Sequence, residues 1–337
     1  MYYYINIAKN LTLYKVYNYL KLVWTYRISK LLNKGHQTAL PFSISIEPTT
    51  SCNLRCPQCP SGLRQFTRPI GMLDPHFFNI FVQQIKSHVH SVMFYFQGEP
   101  YLNTEFLQMV KKANEHNLYT ITSTNAHYLS DENCEQTVLS GLDEIIISID
   151  GVTQEIYEKY RVGGKLDKAL EGAASIIKWK KKLKSKTPFV VFQFVVFRSN
   201  EHQVDEMKKL GKGMGANKVR IKTAQIYDFD KAEDLIPHKD SMSRYKKSNT
   251  GNWEIKNSLL NQCWRMWQGC VITWDGKIVP CCFDKDAKYQ LGDLKLNSFR
   301  NIWFSDTYKH FRNKILKSRK EIDICTNCTE GTKVWAQ

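Results

Sequence analysis

Short apolar runs alternate with longer amphipathic segments along most of the chain. In the amphipathic segments apolar residues recur every three or four positions, after helix-start signals such as Asp74 followed by Pro75. Apolar strands joined by crossover helices form a parallel sheet buried on both faces, either doubly wound or curled as a barrel. The pattern therefore predicts an α/β fold with its site at the carboxyl ends of the strands. The six predicted strands are 43–47, 91–97, 119–126, 144–150, 189–197 and 218–224.

Residues 1–35 predict a different element, a basic amphipathic helix. Lysines interrupt every apolar run well short of the roughly twenty residues that a membrane-spanning helix needs. Two arrangements stay open: the apolar face packs under the main domain, or it lies in the headgroup region of an anionic membrane. The polar face has Lys15, Asn18, Lys21, Thr25 and Ser29, and the apolar face has Leu13, Val16, Tyr17, Leu20, Val23, Trp24, Ile28 and Leu31.

The charge of the chain favours an anionic partner. The 337 residues include 48 lysines and arginines against 32 acidic residues, which gives a net charge of +16. Such a charge fits nucleic acid, an acidic membrane surface or an acidic peptide. The hydrophobic fraction of 42% and the charged fraction of 24% are ordinary for globular proteins and exclude a largely disordered chain.

The ten cysteines carry the most specific chemistry. Cys52, Cys56 and Cys59 follow the first predicted strand, and their spacing suits a metal site or a cluster better than a disulfide framework. Three thiolates can bind three irons of an iron–sulfur cube and leave the fourth iron open. A structural zinc site requires four protein ligands, so zinc fits this loop poorly. Such cysteines also indicate a reducing compartment, and we expect a cytoplasmic protein, free or peripheral at the inner membrane surface.

The CxxxCxxC spacing after the first strand resembles the signature of the radical S-adenosylmethionine (radical SAM) enzymes, and the resemblance extends over about residues 42–225. It implies a partial (β/α)6 TIM barrel and a [4Fe–4S] cluster on Cys52, Cys56 and Cys59, whose open iron binds S-adenosylmethionine. In this family an electron from the cluster splits S-adenosylmethionine, and the resulting 5′-deoxyadenosyl radical takes a hydrogen atom from the substrate. Gln58 departs from the pattern, because many members have an aromatic residue there that packs against adenine.

The same resemblance implies further residues at the S-adenosylmethionine site. Gly98, Glu99 and Pro100 follow the second strand and resemble the segment that binds the methionine ammonium group. Taken alone, these three residues are typical of an ordinary turn. Ser148 and Asp150 end the fourth strand and resemble the family's polar pair near the ribose and methionine.

Arg161 has two interpretations. Its guanidinium group could form a fork to the methionine carboxylate, as the resemblance implies, or it could belong to a surface ion pair. Polar residues of the third, fifth and sixth strands would contact substrate if they point inward, but the sequence does not fix their register. These residues are Ser123, Asn125, Gln193 and Lys222.

A second group of cysteines lies near the carboxyl end of the chain. Four thiolates in two pairs can close either a zinc site or a [4Fe–4S] cluster. The turn signal at 274–276 lies between two β-like runs and predicts a hairpin that brings the first pair together. The segment resembles the SPASM or twitch extension of radical SAM enzymes, which implies an auxiliary [4Fe–4S] cluster on Cys263, Cys281, Cys325 and Cys328.

Two neighbouring cysteines are left over by this assignment. We interpret Cys270 and Cys282 as buried inert thiols, with a substitute ligand or a substrate contact as the alternative. The whole pattern divides the chain into an amino-terminal helical segment at 1–38, the radical SAM barrel at 39–228, a linker at 229–262 and the SPASM/twitch domain at 263–337.

The resemblance implies a radical SAM oxidoreductase that acts at an unactivated C–H bond. A fully ligated auxiliary cluster would accept an electron from the substrate, so the net reaction would be a dehydrogenation or an oxidative bond formation. The expected substrate is a peptide, a sugar or a lipid-linked molecule, and the expected electron donor is a flavodoxin or ferredoxin. Three other functions stay open: a redox-neutral peptide epimerase or maturase, an electron-transfer module, and a metal-containing nucleic-acid-binding protein. Nucleic acid is the least favoured partner, because lysines interleaved with aromatic residues are also typical of an interfacial helix.

Overall fold

The computed structural model describes residues 8–227, 229–230 and 232–331, so residues 1–7 and 332–337 of the two terminal predicted regions lie outside the described residues. The strands in chain order are β1 (Ser43–Ile46), β2 (Ser91–Phe94), β3 (Tyr119–Thr124), β4 (Glu144–Ser148), β5 (Phe189–Val196), β6 (Lys218–Thr223), β7 (Tyr245–Lys247), β8 (Trp253–Ile255), β9 (Gly269–Ile272), β10 (Lys277–Val279) and β11 (Gly292–Asp293).

Within the described residues, nine of these strands form one sheet in the order β11-β10-β9-β1-β2-β3-β4-β5-β6. Neighbouring strands from β1 to β6 are parallel, while β7 and β8 form a separate antiparallel pair. All six predicted strands are confirmed, with bounds that differ by at most three residues from those expected. The predicted partial barrel is therefore confirmed as the centre of the molecule.

Helices connect the parallel strands and cover the outer face of the sheet. A typical start is that of the helix at Pro75–Ile85, where the Asp74 carboxylate accepts hydrogen bonds from the N–H groups of His76 and Phe77. The helices are α1 (Leu13–Leu31), α2 (Pro60–Leu63), α3 (Pro75–Ile85), α4 (Phe106–Glu115), α5 (Asp131–Leu139), α6 (Gln154–Tyr160), α7 (Leu166–Lys182), α8 (Val204–Met214), α9 (Ala232–Leu235), α10 (Arg265–Gln268), α11 (Phe299–Trp303), α12 (Asp306–Ser318) and α13 (Asp323–Thr326). Short 3₁₀ turns lie at Pro100–Leu102, Glu201–Gln203, Asp240–Met242 and Arg319–Glu321.

The two faces of the parallel sheet differ in chemistry. On the outer face, apolar residues such as Ile145, Ile147 and Phe192 are fully buried in the core beneath the helices. Alternate residues point the other way, so the concave inner face carries the polar side chains. These include Ser123, Glu144, Ser148, Gln193, Arg220 and Lys222, whose register the strand pairing now fixes.

Helix α1 closes the amino-terminal end of the barrel. The Nζ atom of Lys15 donates hydrogen bonds to the carbonyl oxygens of Asn10 and Asn117, at 3.1 and 2.7 Å. The Asn18 amide bonds both the N–H and the C=O of Leu40, just before β1. The polar side of α1 is thus the buried side. The expected alternative, in which the apolar face packs under the main domain, is wrong, because these polar side chains find specific backbone partners there.

The carboxyl-terminal segment continues the barrel sheet. Strand β9 pairs in parallel with β1, from Ser43 opposite Gly269 to Ile46 opposite Ile272. A Cβ atom at Gly269 would stand 2.0 Å from the carbonyl oxygen of Ser43, so only glycine allows this close approach. Strand β10 returns antiparallel to β9, which confirms the predicted hairpin. The cysteine-rich segment and the barrel consequently share one sheet and one core.

Candidate active site

The three clustered cysteines lie in the loop that leaves β1 at its carboxyl end. The loop turns tightly, because the N–H of Cys59 donates to the carbonyl of Cys56 at 3.2 Å and Cys59 then caps α2. Gly62 in α2 packs directly on this turn, where an added Cβ atom would stand 2.6 Å from the nitrogen of Cys56. The cysteine loop is therefore held in shape by its own backbone and by α2.

Polar side chains from the loops after β2 and β3 and from the end of α6 reach the thiols. Asn125, just after β3, directs its amide nitrogen to the sulfur of Cys52 at 3.9 Å. Arg161, at the end of α6, directs a guanidinium nitrogen to the sulfur of Cys56, also at 3.9 Å. The thiol of Cys59 faces the Gln97 side-chain oxygen, after β2, at 3.9 Å. The carboxyl ends of several strands thus converge on the cysteine loop.

The donor set of this loop fits an iron–sulfur cluster. Burial raises the pKa of Cys52 to about 12, and the neighbouring Glu99, Cys56 and Cys59 also raise it, so thiolates here require a compensating cation. Irons supply that charge. Across the described ranges, no three or more His, Cys, Asp or Glu side chains are grouped to hold a single metal ion. Thiols that bind separate irons of a cube stand further apart than the ligands of one ion.

The predicted Gly98-Glu99-Pro100 segment lies against the cysteine loop. Gly98 has φ +74°, and a Cβ atom there would stand 2.2 Å from the carbonyl oxygen of Thr49. The Glu99 carboxylate is almost fully buried and accepts hydrogen bonds from Thr124 Oγ1 at 2.7 Å and from the Asn125 N–H at 2.8 Å. Burial raises the pKa of Glu99 to about 7. The carboxylate thus links the ends of β2 and β3 beside the thiols.

Asp150 and Arg161 form a buried ion pair at the same edge. Arg161 Nε donates to Asp150 Oδ2 at 2.6 Å, and the N–H of Val195 donates to Asp150 Oδ1 at 2.7 Å. Burial acts to lower the pKa of Arg161, but Asp150 and Cys56 raise it well above its usual value. The side chains of Arg161 and Asp150 are 15% and 0% exposed, so the pair is not the surface pair that the sequence left open. Ser148 lies nearby at the buried end of β4.

The four carboxyl-terminal cysteines line one small cavity, together with apolar residues such as Phe311 and Ile315. Arg319 is buried beside them, and the thiols of Cys263, Cys328 and Cys325 raise its pKa despite its burial. Four thiols around an apolar cavity, with a cation beside them, fit an anionic cluster of the [4Fe–4S] type. The cavity is lined by all four predicted ligands, Cys263, Cys281, Cys325 and Cys328.

The remaining cysteines separate into two kinds. Cys270 and Cys134 are buried thiols in the core, and burial raises the pKa of both. Cys282 is exposed, and its thiol contributes to the raised pKa values of Tyr95 and Arg265. The buried, inert interpretation therefore holds for Cys270 but is wrong for Cys282. The backbone at Cys281 and Cys282 turns the second thiol out of the auxiliary cavity.

The sequence did not indicate a group of cations on the inner face of the barrel. Arg220 is paired with Glu144 at 3.3 Å, and Arg265 is paired with Glu330 at 2.8 Å. Burial lowers the pKa of Lys222, and nearby arginines lower it further, while Glu330 raises it. These cations come from distant parts of the chain. They could have been recognised as a group only from the way the chain folds, including the register of the strands. The arginines that affect Lys222 are Arg220, Arg244 and Arg265.

A larger open cavity of about 520 Å³ lies between the cysteine loop and the carboxyl-terminal segment. Pro57 and Gln58 line one side, and Lys285 and Lys288 line the other. Gln58 is buried, and its side-chain oxygen accepts a hydrogen bond from the N–H of Tyr227 at 2.8 Å. The residue that departs from the family pattern thus ties the cysteine loop to the segment after β6.

Two family models match this chain. The model of the radical SAM superfamily matches residues 46–211, and that of the SPASM iron–sulfur cluster-binding domain matches residues 263–329. The chain therefore belongs to the radical SAM superfamily and has a carboxyl-terminal SPASM domain. Its cofactors are accordingly S-adenosylmethionine and [4Fe–4S] clusters.

Two characterised proteins are similar to this chain in sequence. A tungsten-containing aldehyde ferredoxin oxidoreductase cofactor-modifying protein of Pyrococcus furiosus is 24% identical over 314 residues, covering 84% of this chain and 86% of that protein. PqqA peptide cyclase of Gluconobacter oxydans is 28% identical over 205 residues, covering 60% of this chain and 55% of the cyclase. The first name states modification of a cofactor and the second states cyclisation of a peptide, and both relatives support radical SAM chemistry for this chain.

Solved structures confirm the fold. BtrN in complex with AdoMet and 2-DOIA superposes with a TM-score of 0.55 at 18% identity, covering 87% of this chain and 95% of BtrN. SuiB of Streptococcus suis bound to S-adenosylmethionine superposes with a TM-score of 0.61 at 15% identity, covering 81% of this chain and 68% of SuiB. The α/β architecture with a carboxyl-terminal extension is thus shared with both.

Proposed function

We propose that this radical SAM enzyme oxidises its substrate by using two separate clusters. The SAM-binding [4Fe–4S] cluster is held by Cys52, Cys56 and Cys59. The observation that carries the proposal is the presence of two distinct thiol sites, one of three cysteines at the strand ends and one of four around a closed cavity. Only the first leaves an iron without a protein ligand. The auxiliary cluster is held by Cys263, Cys281, Cys325 and Cys328.

The residues around the cysteine loop position S-adenosylmethionine. The segment Gly98-Glu99-Pro100 would bind its ammonium group, and the Glu99 carboxylate fixes this segment through Thr124 and Asn125. Asp150 holds Arg161 beside Cys56, so that the free guanidinium nitrogens can bind the methionine carboxylate. Ser148, buried at the end of β4, lies where it can contact the ribose.

When bound, the first cluster and S-adenosylmethionine would supply a 5′-deoxyadenosyl radical that removes a hydrogen atom from a substrate C–H bond. The chain's own contribution is to hold the substrate on the inner face of the barrel and to exclude water from it. The closed four-cysteine site supplies an electron acceptor, which makes the net reaction an oxidation. A redox-neutral epimerisation would not require an acceptor, and the presence of that site favours dehydrogenation or oxidative bond formation.

The substrate that fits best is a peptide with an acidic group. Peptide cyclisation is what the name of the Gluconobacter oxydans relative states, and one SuiB structure contains its precursor peptide. Lys222 on the inner face, with Arg244 and Arg265 near it, could pair with a carboxylate of such a peptide. Sugar and lipid-linked substrates are the alternatives, and nucleic acid is the least favoured partner. The reductant is a flavodoxin or ferredoxin, whose acidic surface would suit Lys285 and Lys288 at the open cavity.

Anaerobic reconstitution with iron and sulfide tests this proposal. We expect about eight irons per chain, the content of two cubes, and formation of 5′-deoxyadenosine from S-adenosylmethionine under reduction. Cys56→Ala should abolish 5′-deoxyadenosine formation, whereas Cys325→Ala should retain it while lowering the iron content by about four. Cys134→Ala, at a buried thiol in α5 that belongs to neither cysteine set, is the matched control and should change neither value.

Two results would contradict the proposal. If Cys56→Ala still forms 5′-deoxyadenosine, the cysteine loop does not bind the catalytic cluster. If the wild type binds about four irons and one zinc, the chemistry at the first site stands, but the electron-acceptor role of the second site is wrong.

A further inference from the structure

The orientation of α1 is specified by a row of hydrogen bonds on its polar side. Thr25 Oγ1 and Thr38 Oγ1 lie 2.8 Å apart, and Ser29 Oγ donates to the carbonyl oxygen of His36 at 2.8 Å. The N–H of His36 donates back to Ser29 Oγ at 3.0 Å. If the helix rotated, these hydrogen bonds and those of Lys15 would break, and buried polar groups would be left unpaired. The helix therefore cannot turn its apolar face toward the core.

The opposite side of α1 carries a row of exposed apolar residues. Leu13 and Leu31 at the two ends are 91% and 84% exposed, and the residues between them are at least 61% exposed. At 3.6 residues per turn, the five side chains lie within an arc of about 60°. We call this row, Leu13, Tyr17, Leu20, Trp24 and Leu31, the outer apolar face.

Exposure of this kind requires an explanation. Single exposed apolar residues are common on protein surfaces, but a contiguous row marks an interaction site. Most helices on a globular protein bury such a row, whereas α1 leaves it exposed and buries a mixed side with Lys15, Asn18, Leu22, Thr25, Tyr26 and Ser29. The outer apolar face is thus a surface that the fold keeps available.

The charges around the outer apolar face indicate what binds there. The chain has no acidic residue before Glu47. Lys21 and Arg27 lie on opposite flanks of the apolar row, and the exposed Lys30 and Lys34 follow toward its carboxyl end. An apolar row flanked on both sides by cations, with tyrosine and tryptophan within it, is complementary to anionic headgroups above acyl chains.

We propose that the outer apolar face binds the surface of an anionic lipid bilayer, with α1 lying in the plane of the headgroups. Leucine, tyrosine and tryptophan side chains enter the boundary of the acyl chains, and the flanking lysines and arginines contact lipid phosphates. In the part of the chain that the structure describes, no helix is long and apolar enough to cross a membrane. The binding is therefore peripheral.

The position of α1 determines how the enzyme faces the bilayer. Lys15 reaches Asn117 before β3, and Lys9 pairs with Asp143 before β4, so α1 covers the amino-terminal ends of the strands. The cysteine loop lies at the carboxyl ends. The active site consequently opens away from the lipid, and bilayer binding is separable from the radical chemistry proposed above.

Vesicle sedimentation of the reconstituted holoenzyme tests the proposal. The wild type should bind vesicles of phosphatidylglycerol and phosphatidylcholine, should bind pure phosphatidylcholine vesicles much more weakly, and should lose affinity as salt rises. The double variant Leu20→Ser, Trp24→Ser should bind at least about tenfold more weakly, since two apolar side chains no longer enter the lipid. Lys21→Glu combined with Arg27→Glu should weaken binding to the anionic vesicles by about tenfold or more.

Leu296→Ser is the matched control, because this leucine is 78% exposed and lies between β11 and α11, far from α1 in sequence. It should leave vesicle binding unchanged. Every variant should keep wild-type iron content and 5′-deoxyadenosine formation, so a failure of the radical chemistry would be recognised separately. Equal binding of the wild type and the serine double variant would overturn the proposal. So would a dimer, seen by light scattering, that dissociates in that variant, because a second copy would then cover the face.

Discussion

Arg161 shows how a single side chain connects the parts of the site. Its guanidinium group bonds Asp150 on one side and faces the sulfur of Cys56 on the other. Asp150 in turn accepts the N–H of Val195, and its carbonyl oxygen accepts a hydrogen bond from Asn200. The pair therefore fixes the ends of β4 and β5 relative to the cysteine loop.

Loss of the Asp150 charge should be costly, because it leaves the buried Arg161 cation without its partner. We expect Asp150→Asn to lower the free energy of unfolding by about 3 kcal/mol, measured by urea denaturation. Glu254→Gln provides the control, since Glu254 pairs with Lys246 at a half-exposed position and should change stability by no more than about 1 kcal/mol. Equal effects of the two substitutions would show that the buried pair contributes no more than a surface pair.

His88 should make the stability of the protein depend on pH. This side chain is 2% exposed, its Nε2 atom has no hydrogen-bond partner, and burial, reinforced by Arg300 and Lys15, lowers its pKa from 6.5 to about 4. Between these two values the unfolded chain binds the proton more readily, so stability should fall as pH falls from 6.5 toward 4, by up to about 3 kcal/mol.

Denaturation of wild type and His88→Gln across this pH range measures the effect. Other groups also titrate, but their contribution is common to both proteins. The difference between the two curves should therefore shrink as pH falls, and a difference that is independent of pH would contradict the assignment to His88.

At the scale of elements, α1 shows what a helical pattern can and cannot predict. The sequence correctly divided α1 into an apolar face and a polar face, because helical periodicity fixes which residues share a side. It did not predict which side is buried. That choice depends on Asn117 and Leu40, whose carbonyl groups reach Lys15 and Asn18 only after the chain has folded.

The cysteine loop depends on the close packing of α2 against it. Gly62→Ala should place a Cβ atom 2.6 Å from the nitrogen of Cys56 and force the loop to shift. We expect this variant to incorporate less iron on reconstitution and to lose most 5′-deoxyadenosine formation. Gly213→Ala, in α8 with open space around it, is the control and should keep both while gaining about 0.5 to 1 kcal/mol in stability. Normal iron incorporation by Gly62→Ala would show that the loop can adapt.

Across the whole molecule, features that depend on local sequence were predicted and those that depend on distant contacts were not. The six strands follow from apolar runs, and the thiols of both sites were assigned from the resemblance to radical SAM and SPASM sequences. The cation group around Lys222 escaped recognition, because Arg220, Arg244 and Arg265 come from separate segments that the sheet brings together. The exposure of Cys282 also depends on the turn after β10, which the spacing does not determine.

The shared sheet predicts the effect of removing the SPASM segment. A chain ending at residue 262 would lack β9, so β1 would become an exposed edge, and the core would lose Trp267 and Trp303. We expect this truncated chain to aggregate and to form no 5′-deoxyadenosine, in contrast to Cys325→Ala. A monomeric, active truncation, detected by gel filtration and by 5′-deoxyadenosine assay, would contradict this expectation.

The parallel pairing of β1 with β9 also limits how the two parts of the chain can evolve. Recombination that exchanged residues 263–337 for those of a distant family member would have to supply a strand starting with a residue as small as Gly269, or the start of β1 at Ser43 would be disturbed. The two parts of this enzyme should accordingly descend together and diverge as one unit.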